Sequence, residues 1–383
     1  MKRFLTVSLL AAFSLSAMAQ QEYEKVQAPD SLRIYHGDAH HEVKFYTEKN
    51  VSKTPKNIIF LIGDGMGTSQ VSAGLTANKG QLFLENFKHV GFSQTQSTSD
   101  YVTDSAAGGT ALACGERTYN GAIGVDANKK PIQSALEAAD ANGKATALVS
   151  TSCITHATPA SFIAHQTNRN MYEEIAQDFL KTDIDVFIGG GYDHFAKRKD
   201  GKDLTTDLKA KGYQVLTDMK DISKVKSGKL AGLVAPVHTD VMPERGDMLV
   251  NATETALTII SQDKKGYFIM IEGSQIDWGG HANNTNYIVR EMLDFDKVVG
   301  KALEFAAKDG ETLVLVTADH ETGGMALIGG DMKTGLVEGE YNTHDHSATM
   351  VPVFAFGPGA DRFTGIMKNS DIGKILIELA GKK

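Results

Sequence analysis

Asn57–Ile62 reads NIIFLI, six residues without a charge, followed at once by Gly63-Asp64-Gly65. A short continuous apolar run of this kind is a strand buried on both faces. Ala145–Ser150, Asp185–Ile188, Tyr267–Ile271, Leu313–Thr317 and Val351–Phe356 read the same way. Helical patterns lie between them. The clearest spans Ile288–Ala307, where Ile288, Met292, Phe295, Val299, Ala302 and Ala306 alternate steps of four and three. A C-terminal helix is predicted over Ser370–Ala380, with Ser370 or Asn369 as its N-cap. This alternation predicts an α/β fold: a largely parallel central sheet with helices on both faces. Lys197–Lys229 is Lys-rich and short of apolar residues apart from Gly212–Leu216, and is read as a peripheral, solvated part of the same domain.

Reactive side chains gather just after the predicted strands. Asp64 follows the first. His156 and Thr158 follow Ala145–Ser150. Glu272 ends Tyr267–Ile271, with Asp277 and His281 close behind, and Asp319-His320 follow Leu313–Thr317. In an open α/β sheet the carboxyl ends of the strands share one crevice. Four segments therefore deliver carboxylates and imidazoles to one place. Zinc takes oxygen and nitrogen donors of this kind, whereas magnesium prefers oxygen. Any one of these residues alone would be read as a cap or a surface charge.

Thr103–Ala111 (TDSAAGGTA) is a run of small residues with a hydroxyl at its head. Thr103 or Asp104 is a good N-cap, and Ala106–Ala113 a helix. Ser105 then sits at the positive helix terminus, where backbone N–H groups favour an anion. A close-packed core helix with Ser105 as a mere cap is the other reading of this segment.

The 383 residues carry 39 Lys and Arg against 47 Asp and Glu, a formal charge of −8. An ordinary apolar fraction of 42% excludes disorder as the main state, and two cysteines exclude a disulfide scaffold. Net acidity argues against a nucleic-acid-binding surface. Met1-Lys2-Arg3, an apolar stretch to Ala17, and small residues at Ala17 and Ala19 read as a secretory leader, residues 1–19, cleaved after Ala19. The stretch falls short of the ~20 residues of a membrane span, so no membrane anchor is expected, and the mature chain belongs in the periplasm or outside the cell. Residues 20–52 read as a polar N-terminal arm, and 53–383 as one large α/β domain. Cys114 and Cys153 could pair in an oxidising compartment, but each sits in a core-like segment and buried free thiols are the favoured reading.

Six blocks in fixed order carry a resemblance: NIIFLIGDGMG, VTDSAAGGTALACG, THATPASFIAHQTNRN, EGSQIDWGGH, TADHETGG and THDHSATMVPVFAFGPGA. The chain resembles the alkaline phosphatase family over most of its mature length, and most of all the compact bacterial secreted members. The resemblance implies a three-layer sandwich and hydrolysis of phosphate monoesters through a phosphoserine. It also implies two zinc ions, one magnesium ion and a homodimer.

Position by position, Ser105 matches the nucleophile, and Asp64 the carboxylate bridging the second zinc and the magnesium. Asp277 and His281 match ligands of the first zinc. His346, eleven residues before the Gly of Phe-Gly-Pro, matches its third ligand, with His344 a competitor ranked lower on spacing. Asp319 and His320 match the second zinc's ligands, Glu272 and Thr158 those of magnesium, and Arg169 the phosphate clamp. His156 stands where some members carry Asp near the magnesium, so zinc is a candidate for that third site. Trp278 stands beside the phosphate where some carry Lys or His.

Other features read as bland. Gly189-Gly190-Gly191 lacks the Lys-Ser/Thr ending of a phosphate loop and is read as a tight turn. His40-His41 reads as arm surface, and His165 and His194 as structural. Asp104 either orients Arg169 or caps the helix. No histidine presents itself as a base for Ser105. The rivals are a phosphodiesterase or other sister enzyme with the same two-metal core, and a secreted metal- or phosphate-binding protein without turnover.

Overall fold

The computed structural model describes residues 33–381. The leader and the start of the arm lie outside the described residues. Asn57–Gly63 runs through the middle of a ten-stranded sheet. It pairs in parallel with Tyr267–Gly273 on one side and Thr312–Thr317 on the other. Ala145–Cys153, Val186–Gly190, Leu230–Ala235 and Gln214–Leu216 extend the first side, all in parallel. Val351–Phe356, His89–Gln94 and Gly365–Lys368 complete the second.

Alternation along the central strand divides the core in two, because successive strand residues face opposite ways. Ile59 and Leu61 join one cluster with Met292, Phe295 and Val299 of the long helix Thr285–Asp309. Ile58, Phe60 and Ile62 join the other, with Leu112, Leu136 and Leu376 from three separate helices. Helices thus cover both faces, as the apolar runs require. Asn284 opens the long helix by accepting the Tyr287 amide at 3.0 Å, and Gly310 closes it at φ 67°. That cap is worth about 1 kcal/mol.

Three details depart from the sequence reading. Val351–Phe356 is buried as expected but antiparallel to both its neighbours. The chain reaches it directly from His346, at the carboxyl end of the parallel strands, so it can only run back. The C-terminal helix begins at Asn369, with Lys368 rather than Ser370 or Asn369 at the cap. The Asn369 side chain is taken up instead by Arg117 and the Thr95 carbonyl. His41 is not arm surface: it is nearly buried, ion-paired to Asp296 at 2.7 Å and stacked on Phe83.

The peripheral segment 197–229 contributes the short edge strand Gln214–Leu216. Arm residues Ile34–His36 pair with Leu336–Glu340, which pairs in turn with Ala326–Asp331, in a separate three-stranded sheet. No described helix is long and apolar enough to cross a membrane.

Candidate active site

The sheet brings the sequence-predicted polar residues to one end, as the switch from strand to loop dictates. Asp64 lies in the turn after the central strand, and Gly65 beyond it adopts φ 75°. A Cβ on Gly65 would come within 2.6 Å of the Asp277 Cα, so the close approach of the two segments needs glycine.

Three donor groups form there. In the first, Asp277 Oδ1 lies 3.3 Å from His281 Nε2 and 3.4 Å from His346 Nε2, and the two Nε2 atoms are 3.2 Å apart. The His281 Nδ1 faces the His344 carbonyl at 2.6 Å, and the His346 Nδ1 faces the Thr103 carbonyl at 2.8 Å. A carbonyl accepts only from N–H, so each Nδ1 is engaged by the backbone and Nε2 is the atom each ring turns toward Asp277. The geometry therefore selects His346 over His344 for the group. His344 stands behind it, with its Nδ1 facing the His281 carbonyl.

The second group joins Asp64, Asp277 and His320. His320 Nε2 lies 3.4 Å from Asp64 Oδ1, 3.4 Å from Oδ2 of the neighbouring Asp319, and 3.2 Å from Ser105 Oγ. His320 thus reaches Ser105 across 215 positions, a contact no local pattern signals. Because the same nitrogen also faces two carboxylates, it belongs to a donor group and is not a free base. The third group joins Asp64, His156 and Glu272, and the Thr158 hydroxyl is 3.5 Å from Asp64 Oδ2.

Ser105 heads the helix Ser105–Cys114, and Asp104 caps it through the Ala107 amide at 3.0 Å. The other Asp104 oxygen accepts from Arg169 Nη1 at 3.1 Å and from the Gly121 amide. Asp104 therefore serves both purposes left open by the sequence. Arg169 Nη2 lies 3.3 Å from His156 Nε2. Trp278 packs edge-on to His156, with ring centroids 6.2 Å apart.

Burial pushes the Asp64 carboxyl well above its usual range, and Asp319, Asp277 and Glu272 add to this. Burial, then Asp277, raises Asp319 to about 7. Asp277 goes the other way: burial opposes its charge, but His281 and His346 hold it well below the usual range. His346 rises to about 9, burial being outweighed by Asp277. Asp64 Oδ1, Glu272 Oε1, Asp319 Oδ2 and His156 Nδ1 are buried with no hydrogen-bond partner. Buried carboxylate oxygens without donors are what divalent cations satisfy, so the donor set fits metal ions.

Several neighbours escaped the sequence reading. Ser150 and Ser152 donate to Glu272 Oε2 at 2.6 and 3.3 Å. Thr322 donates to Asp277. His238 sits edge-on to both Trp278 and His156. The hydroxyls of Ser150-Thr151-Ser152 at a strand end were a usable signal, whereas His238 lies in a loop with no periodic pattern.

The bland readings hold elsewhere. His165 bridges Glu137 and the Gly124 carbonyl, and His194 pairs with Thr155 and stacks on Tyr172. Gly191 turns at φ 99° after its strand. Cys114 and Cys153 are buried free thiols.

Buried oxygen and nitrogen donors, grouped at the carboxyl ends of parallel strands around a helix-capping serine, define a metal-binding hydrolase. Residues 55–338 match the alkaline phosphatase family model. Alkaline phosphatase 4 of Bacillus subtilis is 35% identical, over 85% of this chain and 88% of its own. The solved alkaline phosphatase of the Antarctic bacterium TAB5 is 43% identical, covers 87% of this chain and 99% of its own, and superposes with a TM-score of 0.82. A variant of that enzyme with a histidine replaced by aspartate, also 43% identical over the same shares and with a TM-score of 0.81, holds magnesium in a site termed M3. The chain belongs to the alkaline phosphatase family, and its activity is hydrolysis of phosphate monoesters.

Proposed function

We propose that the reaction passes through a phosphoserine at Ser105. The observation that carries this reading is the Ser105 hydroxyl at a capped helix N-terminus, 3.2 Å from His320 Nε2, which itself lies 3.4 Å from Asp64 and from Asp319. Asp277, His281 and His346 would hold one zinc ion, and Asp64, Asp319 and His320 a second. Asp64, Thr158 and Glu272 would hold magnesium, with His156 beside them. When bound, such ions supply Lewis-acid stabilisation to the phosphoryl oxygens and to the oxygens that enter and leave.

The chain's own residues do the rest. Ser105 Oγ forms the new bond to phosphorus as the alcohol's bond breaks, and the alcohol leaves with a proton. Water then attacks the phosphoserine and restores the hydroxyl, releasing inorganic phosphate. Arg169 presents two parallel N–H donors to the nonbridging oxygens, its orientation fixed by Asp104. The helix N-terminus adds a favourable field for the dianion. Trp278 walls the site beside His156 and offers no positive charge.

His156 sharpens the third site. An imidazole nitrogen suits zinc better than magnesium, so zinc competes there. The magnesium-loaded His-to-Asp variant of the Antarctic relative supports this reading. The same proposal includes action in the periplasm or outside the cell, and a homodimer.

The test compares p-nitrophenyl phosphate with its diester and sulfate, and traps labelled phosphate on the protein by acid quench. Monoester preference and label on Ser105 are expected. Preferential cleavage of the diester, or label retained in Ser105→Ala, would overturn it.

A further inference from the structure

We propose that His238 is a positioning residue for the third donor group: it holds the His156 ring in place and so sets that group's preference for zinc over magnesium. This rests on the reading of His156 as a metal donor.

Three rings meet edge to face. His238 lies 4.7 Å from Trp278 and 5.7 Å from His156, with interplanar angles of 81° and 83°, and His156 and Trp278 meet at 87°. Edge-on contact puts the positive rim of one ring on the π-face of another and resists rotation of either. His156 is 2% exposed, so Trp278, His238 and Arg169 bound the space in which its ring can turn.

The backbone ties the same parts together. His238 Nδ1 accepts the Cys153 amide at 3.1 Å, and the Cys153 carbonyl accepts the His156 amide at 2.8 Å. The backbone of one residue, Cys153, thus links His238 to the turn that presents His156.

The loop carrying His238 is itself clamped. Thr239 donates to the Thr151 carbonyl at 2.5 Å. Gln275 reaches both the Thr151 and Thr239 carbonyls, and Tyr287 fixes Gln275 from behind. Gly190 gives the loop its path: a Cβ there would stand 2.0 Å from the Val237 carbonyl oxygen. The glycine run that resembles a phosphate loop thus makes room for the His238 segment. A ring placed this closely behind a donor acts as outer-shell residues do, by limiting the donor's orientations.

The test uses the full-length enzyme, His156→Asp, His238→Ala and the double variant. Each is stripped of metal, equilibrated with equal zinc and magnesium, and analysed for metal content, with kcat and KM measured separately. His156→Asp should exchange about one zinc per chain for magnesium. His238→Ala should lower third-site zinc affinity roughly tenfold, seen as a raised magnesium-to-zinc ratio, with KM unchanged. The double variant should match His156→Asp alone.

An unchanged ratio in His238→Ala overturns the proposal, as does an equal shift when His156 is already Asp. An unchanged ratio in His156→Asp overturns the donor reading beneath it. His238→Asn keeps an acceptor for the Cys153 amide but lacks the ring, and it should show the same shift if the alanine variant fails to fold.

Discussion

Arg245 is the anchor of the loop that carries His238, and replacing it with methionine makes a sharp test. Its guanidinium is 2% exposed and meets Glu291 at 2.5 Å and Asp294 at 2.8 Å, carboxylates that are 1% and 0% exposed. It also donates to the Asp240 carbonyl at 3.0 Å, two residues from His238. Arg245→Met fills similar space but leaves two buried carboxylates without their cation. Breaking a buried ion pair from one side costs ~3–5 kcal/mol. At about 2.1 cal/mol/K of unfolding entropy per residue, a chain this long shifts by roughly 1.3 °C per kcal/mol, so Tm should fall by about 4–7 °C.

The pH dependence gives a second, independent check. Burial raises the Glu291 and Asp294 carboxyls above their usual range even against the pull of Arg245. A carboxyl raised in the folded state stabilises below its unfolded pKa, and that contribution is lost as pH rises through the folded value. Without Arg245 both groups rise further, so the deficit of the variant should be largest at pH 8 and shrink toward pH 5. Adding Glu291→Gln should recover part of it. Calorimetry of the metal-loaded proteins at both pH values reads this directly. A Tm at pH 8 within about 2 °C of the parent, or a deficit that grows on acidification, would refute the reasoning.

Further outcomes follow from the site. Ser105→Ala should lower kcat by at least ~10³ with metal content unchanged, and full activity in a steady-state assay would sink the covalent route. Arg169→Lys keeps the charge but loses the parallel donor pair, so the inhibition constant for inorganic phosphate should rise roughly tenfold; equal inhibition would count against a bidentate clamp. Stripping the metal with a chelator should abolish activity and change the pH profile of stability. In the stripped protein, Asp319 with its value near 7 and His346 near 9 are raised, so their contributions are lost as pH rises through those values. Asp277, held low, contributes above its unfolded value and does not reverse the trend. His156 and His320, which burial holds well below the imidazole range, oppose it only below neutral pH, where the unfolded chain binds their protons. The stripped protein should therefore melt lower at pH 9 than at pH 7 by scanning fluorimetry, and a higher melt at pH 9 would contradict it.

The parallel core was legible because burial on both faces leaves an unbroken apolar run, as in Ile58–Ile62. The strand ends were legible too, because a carboxylate or imidazole directly after such a run has few other places to go. The direction of Val351–Phe356 was not, since a buried strand looks alike in either orientation. Nor was the pairing of His41 with Asp296, which joins residues 255 positions apart through no local pattern. His238 was hidden for the same reason: its contacts are made by a loop whose course depends on Gly190 and Gln275. Asp104 shows the converse case, where both local readings are true because the two oxygens of one carboxylate do different work.

The acidic balance of the chain first argues against an anionic substrate. Loss of Lys2 and Arg3 with the leader would take the formal charge from −8 to −10. Yet Asp64, Glu272, Asp277 and Asp319 account for four of those charges, all at or near zero exposure in one crevice. Such a cluster does not persist ionised in a dry site without cations, as the raised Asp64 and Asp319 carboxyls show. Three divalent ions would supply six positive charges, taking the total from −10 to −4 and reversing the sign of the crevice beside Arg169. The negative charge is therefore the means by which the site becomes positive: the carboxylates select cations, and the cations select phosphate. Asp64 is central to this, since it belongs to the second and third groups at once. Its replacement by asparagine should weaken both, whereas Glu272→Gln should weaken only the third, and elemental analysis of the two variants side by side tests whether the groups are coupled through that one side chain.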